Sequence, residues 1–201
     1  ERDWVRDQKE IFGKKINFSW GKIYDELLPF FDNKLSNLEQ VFLADYNGKL
    51  IYNSLLLNSH FKNYFKIDYF TPFLTKDIIS LAPHLELDLK FNIKKEKDKV
   101  LLRNILSKYE TNKFISQTKK GFSMNTIEVW KSDGAELCDH YLSDARTVKD
   151  GLINKEWIEK HLTKTKNIPN VRYVNKFLGL LAYEIWYRLF ITKEISSKTK
   201  L

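Results

Sequence analysis

The sequence predicts an all-α or nearly all-α chain, an irregular bundle of about eight short helices. Three observations carry that expectation. Val174, Phe177, Leu178, Leu181, Ile185 and Leu189 recur at i, i+3, i+4 and i+7, the spacing of one apolar helical face. Residues suited to N-caps stand before a series of apolar runs, where a side-chain oxygen can take a free backbone N–H. No segment makes a convincing strand, and glycine and proline are sparse, seven and four in 201 residues.

Taken in order, residues 1–18 mix charges with single aromatics and read as an arm or connection. Ser19 is placed to cap a helix running toward Leu28, and Pro29 is expected to end it. Ser36 is placed to cap a second helix through Leu38, Val41 and Phe42. Residues 50–64 lack a clean period and read as short helical pieces. Thr75 precedes Asp77, Ile78 and Leu81, a cap with an acid in the first turn. The dense charges of residues 90–99 read as a linker or solvated face. Asp98 is placed to cap a helix with Val100, Leu101, Leu102, Ile105 and Leu106. After a loop containing Lys119, Lys120, Gly121 and Phe122, Asp133 is placed before Leu137, Cys138, Tyr141 and Leu142, and Asn154 before Trp157, Ile158 and Leu162. The last helix also carries Tyr183, Trp186 and Tyr187 and should be buried on most of its circumference. The expected division is therefore an arm (1–18), a helical body (19–192) and a flexible basic tail (193–201).

Composition narrows the class. Aromatics make up 14% of the chain, which excludes a disordered tail that cannot build a core. Cys138 is the sole cysteine, which excludes a disulfide scaffold and points to a reducing compartment, here the cytoplasm. No two glycines stand close together, unlike the phosphate loops of a complete mononucleotide-binding fold. The most apolar stretch, Phe177 to Phe190, contains Glu184 and Arg188 and is too short and charged to span a bilayer. The formal charge of +8 is spread along the chain; nucleic acid is not the expected partner, though anionic phosphate ligands fit the sign.

No metal site is legible, because His60, His84, His140 and His161 stand far apart. They read as surface or core histidines, and Cys138, beside Leu137 and Tyr141, reads as a buried structural thiol. Two local patterns rise above this background. Asp68-Tyr69-Phe70-Thr71-Pro72-Phe73-Leu74 sets a carboxylate before a rigid turn. Lys119-Lys120-Gly121-Phe122 sets two cations beside a residue that lets a ligand approach the backbone. On spacing alone these are a turn with a solvated acid and a basic surface loop.

In their order the motifs resemble a family. Asp45 is followed by Asp68-x-x-x-Pro72-Phe73-Leu74, by Lys99-x-x-Leu102-Arg103, by Lys119-x-Gly121-Phe122, by Trp130, and by the run Leu180 to Phe190 with Trp186-x-Arg188-x-Phe190. From about Leu35 to Phe190 this set is similar to the C-terminal half of the synthetase domain of asparagine synthetases. The resemblance implies a helical half of an α/β ATP-pyrophosphatase-type domain, without its sheet. It implies ATP and Mg²⁺ as cofactors, adenylation of a carboxylate, and attack on the acyl-adenylate by ammonia or an amine. The family's Ser-Gly-Gly-x-Asp-Ser pyrophosphate loop and its Gly-Gly-Asp-Glu stretch do not occur here. The chain, which begins at Glu1, is therefore expected to be a fragment that is inactive alone. Its implied partners are the N-terminal part of the synthetase domain and, in the family's usual arrangement, a glutaminase domain. A cut domain would also expose an apolar face through which two copies could pair.

Roles carry over residue by residue. Asp68 occupies the place of a Glu that faces the reaction centre, where a carboxylate orients or deprotonates the amine; Asp is one methylene shorter. Lys119 matches a Lys that stabilises charge on the tetrahedral intermediate and the departing phosphates. Lys99 and Arg103 match a Lys and an Arg of the preceding helix, Lys99 for pyrophosphate and Arg103 either for phosphate or as a structural ion-pair partner. The chain departs from the family pattern at Ser59, His60, Lys62 and Asn63, at Phe70 in place of an Arg, and at Thr75 in place of an Asp. A catalytically degenerate interaction module is the competing expectation.

Overall fold

The computed structural model describes residues 7–109 and 125–199. They belong to two compact units, one formed by Glu1–Trp20 with Gly121–Leu201, the other by Gly21–Lys120. Helices dominate both, as expected, and the one sheet among the described residues is a two-stranded pair. No helix among them is long and apolar enough to cross a membrane.

The arm is tied down. After α1 (Gln8–Ile11), Gly13 and Lys15 donate their N–H groups to the carbonyls of Leu152 and Gly151 at 2.8 and 3.0 Å, and Asn154 donates to Ile11 at 2.8 Å. Gly13 is required there, since a Cβ would stand 2.4 Å from the Gly151 carbonyl oxygen. Helix α2 (Trp20–Phe31) starts directly after Ser19 but keeps Pro29 inside it, where the sequence predicted a stop. In a last turn proline forfeits only its own N–H bond, and Asp32 still donates to Leu28 at 2.8 Å.

Ser36 caps α3 (Asn37–Asp45) as predicted, with Glu39 accepting from its N–H at 2.9 Å and from its hydroxyl. The chain then winds wider through a π-helical stretch, Tyr46–Leu55, into α4 (Leu56–Phe65). Bonds from i to i+5 shift the apolar repeat away from 3.6, which is why residues 50–64 show no clean period. Lys66, left-handed at φ 56°, ends α4. Pro72–Leu74 forms a 3₁₀ turn, and Thr75 stands at the N-cap of α5 (Lys76–Leu81) with Asp77 in the first turn.

A second 3₁₀ turn, Ala82–His84, leads to α6 (Leu87–Lys90). The charged cluster then folds as a hairpin rather than a plain linker. Strands β1 (Phe91–Asn92) and β2 (Lys97–Asp98) pair antiparallel, with Phe91 opposite Asp98. Helix α7 (Val100–Ser107) is led in by left-handed Lys99, not capped by Asp98, because the Asp98 carboxylate is taken by Arg103.

Helix α8 (Thr126–Val129) runs through a π turn, Trp130–Gly134, into α9 (Ala135–Ser143), so Asp133 lies inside a helix instead of capping one. After α10 (Arg146–Lys149), Asn154 accepts from the Glu156 N–H at 3.0 Å and caps α11 (Lys155–Asn167) as expected. Asn170, which was not expected as a cap, accepts from the Arg172 N–H at 3.0 Å and starts α12 (Val171–Trp186). Phe177 of α12 is the centre of the core, its ring 5.2 Å from that of Trp157 and 5.8 Å from that of Trp130. Cys138, Val174 and Leu181 surround it, and all three are buried.

Candidate functional site

The Asp68 segment is built by the end of α4. Left-handed Lys66 turns the chain, and the residues that follow run without regular structure to Pro72. Lys62, in the last turn of α4, reaches over this turn to Asp68, its Nζ 2.8 Å from Oδ1, with the two side chains 49% and 93% exposed. The hydrogen bond and charge of Lys62 hold the Asp68 carboxyl below the usual range and push the Lys62 ammonium up. Exposed rings surround the pair in sequence: Phe61, Tyr64, Phe65 and Phe70, with Tyr64 edge-on to Phe65 at 4.8 Å. The Pro-Phe-Leu residues Phe73 and Leu74 line a mainly apolar groove of about 680 Å³ with Phe42, Tyr46 and Ile78; Asp68 does not line it.

Lys99 and Arg103 converge on Asp98. The Arg103 guanidinium donates through Nε to the Asp98 carbonyl at 2.8 Å and through Nη2 to Oδ1 at 3.0 Å. The Lys99 ammonium stands farther off, 3.5 Å from Oδ2 and about half exposed. The Arg103 hydrogen bond is the main cause that holds the Asp98 carboxyl below its ordinary value; burial opposes it and Lys99 assists. Arg103 thus braces the β2–α7 junction, while Lys99 keeps an ammonium toward solvent. Lys119, with Lys120, Gly121 and Phe122, lies outside the described residues.

Of the sequence-predicted site residues, the structure brings Lys99 and Arg103 together, and it gives Asp68 a different partner. Sequence reasoning missed the pairing of Lys62 with Asp68, because the contact crosses the end of α4 at left-handed Lys66 and no single periodic element holds both residues.

It also missed the role of Glu184, which sits inside the final motif. Glu184 is fully buried. It accepts from the backbone N–H groups of Arg146 and Thr147 at 2.7 and 3.0 Å, from the Thr147 hydroxyl at 2.6 Å, and from Arg188 Nε. Burial alone would push this carboxyl up, but the donors from Thr147, Arg146 and Arg188 outweigh it and leave it below the ordinary value. Glu184 therefore caps α10 from another helix. The Glu184–Arg188 spacing, i to i+4, was the available signal.

Cys138 and His161 are held by packing. Cys138 is buried, donates weakly to the Phe177 carbonyl at 3.5 Å, and has its thiol pushed up to about 12 by burial, which removes the thiolate a nucleophile needs. His161 stacks on Tyr173 at 4.8 Å. Among the described residues no group of His, Cys, Asp or Glu could hold a metal ion.

The asparagine synthase family matches residues 21–188. No curated protein and no solved structure matches the chain. The matched span contains Asp68, Lys99, Arg103 and Lys119 and ends on the Arg188 that pairs with Glu184. By that match over most of its length, the chain belongs to the asparagine synthase family.

Proposed function

We propose that the chain serves ATP-dependent amide formation, in which a carboxylate is adenylated and ammonia or an amine attacks the acyl-adenylate. Family membership across residues 21–188 is the observation that carries this reading. In it, Asp68 meets the amine. An aspartate is ionised near neutral pH, and Lys62 lowers its basicity further, so it is suited to orienting an amine through hydrogen bonds more than to taking its proton. Lys99 offers an ammonium to phosphate oxygens, and Arg103 acts through Asp98 as a positioning residue. Lys119 stabilises negative charge as the tetrahedral intermediate forms and phosphate leaves.

The cofactors fit these residues unequally. The half-exposed Lys99 ammonium, loosely held by Asp98, suits an ATP phosphate. Mg²⁺ finds no carboxylate cluster among the described residues, so we assign it to the part of a synthetase domain that carries the pyrophosphate loop. ATP would supply the activating adenylate, and the residues named here would hold and orient what meets it. The chain alone is expected to be inactive. Its partner in this reading is that N-terminal part, with a glutaminase domain as one source of ammonia.

The test is ATP–pyrophosphate exchange and amide formation by the whole protein the gene encodes. Lys119→Ala should lower both by about 100-fold or more. Near-normal turnover would overturn the role of Lys119, and absence of any exchange in the intact protein would overturn the enzymatic reading. The competing reading, a non-catalytic interaction module, is favoured by one observation: no described residue between 21 and 109 is buried. It predicts partner binding, or pairing of two copies, with no exchange.

A further inference from the structure

We propose that Lys62 is a positioning residue for Asp68, fixing the direction of the carboxylate that meets the amine. This rests on the reading of Asp68 given above and extends it to a residue on another element. Asp68 sits in a segment without regular structure, so backbone hydrogen bonding of a helix or sheet does not aim its side chain. Its one charged partner among the described residues is Lys62 at 2.8 Å. That contact crosses the left-handed turn at Lys66 and ties the free segment back to the last turn of α4.

An exposed ion pair of this kind adds little to fold stability. A role confined to structure would therefore leave almost no trace when Lys62 is changed. A role in aiming Asp68 leaves a specific one, because misplacing a reacting group by about an ångström costs up to about 100-fold in rate. This effect acts on the amine step and not on adenylation.

The experiment compares Lys62→Met, Lys62→Arg and Asp68→Asn in the whole protein. Lys62→Met should cut amide formation about tenfold more than it cuts pyrophosphate exchange, and Lys62→Arg should restore most of it. Equal loss in both half-reactions, or no rescue by arginine, would overturn the proposal. A carboxyl NMR titration of Asp68 checks the contact itself without turnover: in Lys62→Met the midpoint should rise toward the ordinary aspartate value of about 3.9, and an unmoved midpoint overturns the proposal. If instead Asp68→Asn leaves amide formation intact, the reading of Asp68 itself fails, and the Lys62 proposal falls with it.

Discussion

The unit that contains residues 125–199 closes on Phe177, Trp130 and Trp157, each no more than 2% exposed, whereas among described residues 21–109 none is buried. Both regions are rich in aromatic and aliphatic side chains. In the first they face one another across α9, α11 and α12. In the second, Tyr24, Leu28, Tyr52, Phe61, Tyr64 and Phe70 face outward. The difference teaches that apolar content measures a capacity to bury surface and not where that surface goes. Apolar side chains left exposed in this number are available to a partner, and on our proposal that partner is the N-terminal part of a synthetase domain.

The largest expected effect contrasts the two units directly. Phe177→Ala should destabilise its unit by about 3–5 kcal/mol, since it leaves a cavity against two indoles. Phe61→Ala, on an exposed helical face, should stay within about 0.5 kcal/mol in the isolated chain. Chemical denaturation followed by tryptophan fluorescence and circular dichroism measures both, and equal losses would break the comparison.

A smaller effect concerns acid. Glu184 has a folded value below its unfolded one, so its stabilisation is present above about pH 4.3 and is lost as the pH falls through the folded value. Asp7, held down by the Tyr173 hydroxyl at 2.7 Å, contributes in the same direction. The unit holding residues 125–199 should therefore weaken as the pH falls below about 4.3, and Glu184→Gln should flatten that dependence while lowering stability at pH 7. Urea midpoints across this range test it; a variant as acid-sensitive as the parent would refute the assignment.

The smallest effect sharpens the picture of α12. A Cβ at Gly179 meets nothing within 4 Å, so this mid-helix glycine is not required by packing. Gly179→Ala should stabilise by about 0.5–1 kcal/mol, visible as a raised thermal midpoint. A loss would mean that something fills the open space beside it.

What could be read from sequence followed physical range. Helix α12 was legible because burial on one face imposes a period, and Ser36 and Asn154 were legible because a cap acts within three residues. Asp98 and Asp133 were misassigned as caps for the complementary reason. Asp98 is claimed by Arg103, five residues on, and Asp133 lies in a π turn that leaves no helix start to cap. Pro29 stays helical because its cost falls where little helix remains. Among the site residues, Asp68, Lys99 and Arg103 came from motif order, not from spacing. Lys62 depends on a contact across a turn, and Glu184 on contacts between helices of which only its i to i+4 spacing to Arg188 shows in the sequence.

The bond between Asp7 and Tyr173 joins residues 166 positions apart, and the Gly13–Leu152 bond joins the same two ends. As this stretch leaves the ribosome, the arm is among the first segments made and among the last to find its place. Closing so long a loop costs only slightly more entropy than closing a short one, but contacts this distant in sequence slow the search. Until residues 151–173 have been made, the arm lacks the carbonyls it bonds to and Ile11 lacks the core that buries it, so the order of one end of the unit is set by the other.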